Sequence, residues 1–227
     1  FASGDIGTSV APIRLYLNDE ERAGGISLEA QSTSGSAYLE NFGGVTVDRS
    51  GVDTAGVFRL KANSPITVST DIIANAVYIH ANDEAGNGDT VTINGDIKVY
   101  AGVDSEGIVN SANDSLLTYS VGSGDNIAAG NVIIRSGDDL SIGSGVDLRA
   151  KYGIEMVLDY RAAGVNDPDS GTTMALLEGT LYAYDGDITL ASFGVDDYSA
   201  SLLGDWTASD AISFDFSSSN GVVFTHE

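Results

Sequence analysis

The chain has 227 residues, no cysteine, and 33 acidic side chains against 10 basic ones, for a formal net charge of −23. Such a field repels nucleic acid and anionic lipid headgroups, and the missing thiols exclude disulfides and cysteine-based metal sites. At 42% hydrophobic the chain can bury a core, and it has no apolar run of the length (about 18 residues) that a membrane-crossing helix requires.

The acidity is uneven, since no Lys or Arg follows Arg161. One reading of the charge is solubility in a salty medium, where screening relieves self-repulsion. The other is a role that depends on bound cations.

Helical periodicity is nearly missing. Short alternating apolar runs bounded by Gly, Asn, Asp and Ser predict strands and turns instead. The chain also repeats itself. One phrase, apolar-x-apolar-x-small, begins at Ile26, Phe58, Val77, Val132 and Ile188, with a looser copy at Ile212. Gly or Asn often stands just before it, as in Gly130-Asn131 and Gly186-Asp187. A second phrase follows most copies. Its cleanest form runs Leu140-Ser-Ile142, a turn at Gly143-Ser-Gly145, then Val146-Asp-Leu148-Arg-Ala150.

Alternate side chains of a strand point to opposite faces. In each phrase one row therefore holds Ile, Val, Leu and Ala and faces inward, while the other holds Ser, Thr, Asp, Glu, Lys and Arg. A unit of about 20–30 residues cannot bury such a row alone and must stack on a copy of itself. The expected fold is all-β: a right-handed parallel β-helix, or β-solenoid, with irregular coils. Residues 56–74 and 131–150 read as compact coils. Residues 102–129 and 161–173 read as loop insertions, the second because of the turn signal in 164–171. The chain reads as one continuous segment over 1–227, belonging to a longer polypeptide. Both ends lack a cap, and the run from Gly221 to Thr225 looks like a coil awaiting a neighbour.

Three groups of residues invite a chemical reading. The stretch from Asn82 to Asp89 packs hard oxygen ligands into a Gly-rich turn, and Asp83, Asn87 and Asp89 are candidate calcium ligands. The competing reading is a polar turn with Asx hydrogen bonds. Acidic pairs at Asp138-Asp139, Asp185/Asp187 and Asp196-Asp197 would suit a glycosidase if two faced each other across a cleft. Trp206, Tyr182, Tyr184 and Tyr198 could form a sugar-stacking face or fill wide coils. No catalytic residue emerges. The two histidines, His80 and His226, are far apart, and His80 is expected on the outer surface of its strand.

The coil phrases, with Gly-Asp-Ile-Thr-Leu at 186–190, resemble the repeats of filamentous-haemagglutinin-type exoproteins and related giant bacterial adhesins. The opening resembles them too, in Gly4-Asp-Ile6-Gly-Thr8, Ala11-Pro-Ile13, and Tyr38-Leu39-Glu-Asn41-x-Gly43-Gly-Val45-Thr-Val47. The resemblance covers roughly 1–101 and 130–216. It implies secretion, an extracellular or cell-surface location and an adhesive scaffold rather than an enzyme. The partners it suggests are neighbouring solenoid segments or other copies of the chain, and surface glycans or cations. The alternatives are a carbohydrate-active β-helix enzyme and a viral or phage fibre.

Overall fold

The computed structural model describes residues 2–15, 26–63, 65–82, 88–109, 117–122, 124–160, 172–192, 197–216 and 222–226. They form strands and turns, with no helix, and the strands pair almost entirely in parallel. This is a parallel β-helix.

The strands follow one another coil by coil. The first coils contain β1 (Ile13–Leu15) and β2 (Ile26–Ser32), then β3 (Ala37–Asn41) and β4 (Val45–Thr54). Next come β5 (Val57–Ala62), β6 (Ile66–Val68) and β7 (Ile72–Ala74), then β8 (Ala76–Ala81), β9 (Val91–Ile93) and β10 (Lys98–Ala101). A hairpin of β11 (Thr118–Gly122) and β12 (Asp125–Ala128) intervenes. The coiling resumes with β13 (Val132–Arg135), β14 (Leu140–Ile142) and β15 (Asp147–Ala150), then β16 (Ile154–Leu158), β17 (Thr172–Leu177) and β18 (Thr180–Ala183). The last strands are β19 (Ile188–Ser192), β20 (Asp197–Leu202), β21 (Trp206–Ala208), β22 (Ile212–Phe216) and β23 (Val222–His226).

An eight-stranded sheet takes the first strand of every coil, in the order β1-β3-β5-β8-β13-β16-β19-β22. A thirteen-stranded sheet takes the remaining coil strands and forks at β4, while β11 and β12 pair only with each other. Val45–Val47 of β4 pair with β6, whereas Val52 and Asp53 pair with β7. From there onward each coil contributes one short strand to each branch, so a coil has three faces.

Inward residues line up from rung to rung. On the first face Leu39, Leu60, Ile79, Ile134, Met156 and Leu190 stand in register and are buried. The second face stacks Val47, Val68, Ile93, Ile142 and Leu177. The third stacks Val52, Ile72, Val99, Leu148 and Leu181. One hydrophobic cluster runs through all three from Leu28 to Leu202. Each fully buried Leu or Ile in it contributes roughly 1.5–3 kcal/mol.

Corners repeat a polar device. The residue just before a strand carries a side-chain oxygen that accepts the N–H of the equivalent residue one coil later. Asp5 accepts from Ser36 (2.7 Å), Asp71 from Lys98 (2.8 Å) and Asn131 from Gly153 (2.7 Å). Asp139 accepts from Met174 (2.7 Å) and Asp187 from Ala211 (2.9 Å). At these five positions an Asn or Asp side chain thus satisfies a backbone donor at the mouth of a ladder.

One expectation is corrected, and two others gain detail. The phrase at Ile26 lies in the other sheet, where Ile26–Leu28 pair with Val45–Val47; the true first-face copy is Ala37, Leu39 and Asn41. Apolar-x-apolar-x-small suits both faces, so spacing alone could not tell them apart. The stretch 102–129 is not a plain loop, because β11 and β12 form an antiparallel hairpin within it. Of 161–173, residues 161–171 lie outside the described residues, and Thr172 and Thr173 already belong to β17.

Candidate functional site

The outer side of the first face is the chemically richest surface. Its outward rows follow from strand alternation: Tyr38, Arg59, Tyr78, Ile133 and Glu155 in one, and Arg14, Glu40, Lys61, His80 and Arg135 in the next. A solvated row was expected, but the β11–β12 hairpin lies on it. Val121 and Ile127 of the hairpin pack with Tyr38, Val57, Ala76, Tyr78 and Ile133 in a second buried cluster, with Tyr119 against its edge.

Polar ties fasten the hairpin down. Arg59 Nε donates to the Val121 carbonyl (2.7 Å), and its Nη2 donates to Glu40 Oε1 (2.8 Å). Asn75 Nδ2 donates to the Tyr119 hydroxyl (2.7 Å). Arg135 Nη1 lies 2.6 Å from Asp125 Oδ2 on the hairpin, 2.9 Å from the Tyr160 hydroxyl and 3.1 Å from the Tyr78 hydroxyl. Its guanidinium also sits over the Tyr160 ring, 4.3 Å from the centroid.

His80 stands inside this network and corrects the surface-histidine expectation: it is only 7% exposed. Its ring meets Tyr160 edge-on at 5.0 Å, and its Nδ1 lies 3.4 Å from the Tyr78 hydroxyl. Burial, followed by the charges of Lys61, Arg135 and Arg59, pushes its pKa down to about 2. Burial likewise raises Tyr78 to about 12 and raises Tyr160. The group is therefore a neutral imidazole and two protonated phenols around one guanidinium, and its chemistry is that of a clasp.

Of the calcium candidates, Asp83 and Asn87 lie outside the described residues. Asp89 is buried, and its carbonyl accepts from the Ser136 hydroxyl (3.1 Å) and the Asp138 N–H (3.1 Å). Asp138 Oδ2 in turn accepts the N–H groups of Gly88 (2.7 Å) and Asp89 (2.8 Å), so this turn is stapled to the next coil. Among the described residues no three carboxylates or imidazoles gather as a metal group.

Three acids of these pairs are occupied with backbone. Asp138, Asp139 and Asp187 each accept main-chain N–H groups, and burial raises the pKa of Asp139. Asp196 lies outside the described residues. The aromatic group divides. Tyr182 and Tyr184 pack at 4.5 Å, and the Tyr184 hydroxyl donates to the Gly107 carbonyl (2.7 Å), while Trp206 stacks on Phe214 instead. Toward Arg14 the outward row opens into a cavity of about 130 Å³.

Sequence spacing did not single out the clasp, because β11 and β12 lie far along the chain from the rows they cover; only the aromatic Tyr38 and Tyr78 at outward positions signalled a covered face. The chain matches no protein-family model, no curated protein and no solved structure.

Proposed function

We propose that this chain is a structural, adhesive segment of a secreted or cell-surface repeat protein, a rigid scaffold whose coils stack on further coils or on other copies of the chain. One observation carries the reading. Ile212 and Phe214 occupy inward ladder positions beneath Ile188 and Leu190, yet they are 41% and 43% exposed whereas the residues above them are fully buried. Such an apolar rung is complementary to another rung of the same kind. The turn carboxylates support the same reading, since they hold coils together, whereas a carbohydrate-active enzyme would need two of them facing a sugar across a groove.

Solution scattering tests it. The chain should associate end to end as concentration rises, with rod length growing by about 4.8 Å per stacked coil. Phe214→Lys should abolish the association while leaving the melting temperature of the monomer nearly unchanged. A chain that stays monomeric at every concentration would remove the stacking reading. Calcium belongs to the same proposal as a ligand of the 82–89 turn: millimolar calcium should raise the melting temperature and chelator should reverse it.

A further inference from the structure

Strands β1 and β22 are the outermost strands of the eight-stranded sheet, and one inward ladder runs between them from Ile13 to Phe214. Every rung of that ladder from Leu39 to Leu190 is buried, whereas Ile13 on β1 is 44% exposed and Ile212 on β22 is 41% exposed. We infer that the partner of this chain is a second copy stacked head to tail, the β22 rung of one copy on the β1 rung of the next, so that the product is an open filament and not a closed dimer. This rests on the stacking proposed above and adds its direction and its second contact surface.

The outline of the coil decides between orientations. From β5 onward every coil runs through the first, second and third faces in that order. A copy shifted along the axis keeps the order, so all three faces meet their like. A copy turned over presents the faces in reverse order round the axis, so at most one face meets its like. Its strands also oppose in direction, whereas the ladder pairings at β21, β22 and β23 are all parallel. A turned-over contact is self-complementary and closes on two copies; a head-to-tail contact joins unlike surfaces and leaves a fresh one at each end.

Charge acts against one of the turned-over arrangements. No Lys or Arg follows Arg161, and Asp205, Asp210 and Asp215 beside the last rungs are exposed. Two C-terminal rungs brought together would set these acids against their own copies, a repulsion strongest at low salt.

The corner device supplies a third argument. Asp71, just before β7, accepts the N–H of Lys98 one coil later (2.8 Å). Asp205 stands at the same place before β21, the outermost strand of that branch. A following copy whose β2 continued the third face would bring a backbone N–H to this carboxylate, as Lys98 brings one to Asp71.

Complementation of blocked ends tests the direction. Ile13→Lys places an ammonium on the β1 rung, and Ile212→Lys places one on the β22 rung. At a concentration where the wild-type chain elongates, light scattering should show each variant alone as a monomer. An equimolar mixture should give a species of twice the monomer mass that grows no further, because it holds one intact pair of unlike rungs. Should either variant unfold, thiol cross-linking replaces it. The chain has no cysteine, so Ile13→Cys and Phe214→Cys each carry one thiol. Stacked in register they would stand on adjacent strands about 4.8 Å apart, within the span of a disulfide. Air oxidation should then link the mixture and neither variant alone. Self-association of Ile13→Lys, or a disulfide formed by Phe214→Cys alone, would show tail-to-tail contact and overturn the inference. Self-association of Ile212→Lys, or a disulfide formed by Ile13→Cys alone, would show head-to-head contact and do the same. A wild-type chain that never associates fails the stacking reading itself, and the direction falls with it.

Discussion

Arg59 Nε donates to the carbonyl oxygen of Val121 at 2.7 Å, joining residues 62 positions apart. The bond links a rung of the first face to the hairpin above it. Replacing Arg59 by Met keeps the apolar stem and removes the donor, leaving the Val121 carbonyl without this bond. The expected cost is about 1–3 kcal/mol, since a buried acceptor loses its donor while Glu40 loses one of its two bases and keeps Arg14. Hydrogen exchange should show faster exchange across 118–128 than in wild type, with the ladder at Ile142 and Leu148 still protected. Equal protection in the hairpin would count against the clasp.

His80 gives the fold a dependence on pH. Its pKa falls from 6.5 in the unfolded chain to about 2 in the folded one. Below pH 6.5 the unfolded chain therefore takes up a proton that the folded chain refuses. The stabilisation is complete above that value and is lost as pH falls. At pH 5 the loss is about 2 kcal/mol. His80→Gln should flatten this portion of the stability curve between pH 7 and pH 5. Denaturant midpoints that fall equally in both proteins would show that other groups carry the slope.

Leu148 sits between Val99 and Leu181 in the third-face ladder, fully buried. Leu148→Ala should cost about 2–4 kcal/mol. Leu203, exposed in the turn before β21, is the contrasting position, and Leu203→Ala should change stability by less than about 0.5 kcal/mol. Urea denaturation of the two variants side by side is the measurement.

Gly102 and Gly130 mark where the chain leaves the coil toward the hairpin and where it returns. Both have positive φ, 66° and 79°, and a Cβ on Gly102 would come within 2.9 Å of the Gly130 Cα. A Cβ on Gly130 would approach the Tyr152 ring to 2.7 Å and Lys151 Cβ to 3.0 Å. Gly130→Ala should destabilise by about 1–3 kcal/mol through backbone strain and displacement of Tyr152. A thermal melt matching wild type would mean that the corner relaxes freely.

The ladders are legible in the sequence because strand alternation and a required stacking partner leave little choice. Val146, Leu148, Ile134, Ile142 and Ile188 are all buried, as their phrases predict. The Asn and Asp before the strands are visible there too, although their role as acceptors for the next coil needs the rungs in register. The outer surface is harder to read. Lys61, His80 and Arg135 look like ordinary polar positions, and nothing in their spacing shows that His80 is buried against Tyr78 and Tyr160. The misplaced copy at Ile26 has a related cause. In the first coils one long strand spans two faces, so the phrase boundaries that mark later coils are missing.

The hairpin touches consecutive coils at once, from Tyr38 through Val57, Ala76 and Tyr78 to Ile133. Elsewhere the ladder strands pair with the rungs above and below them. Under tension applied along the axis, a stack of that kind would peel from an end in small steps. The coils beneath the hairpin cannot come away singly, because the splint must tear off first. A chain pulled from its C-terminal end should therefore lengthen gradually through β23 to β16 and then yield in a single abrupt rip.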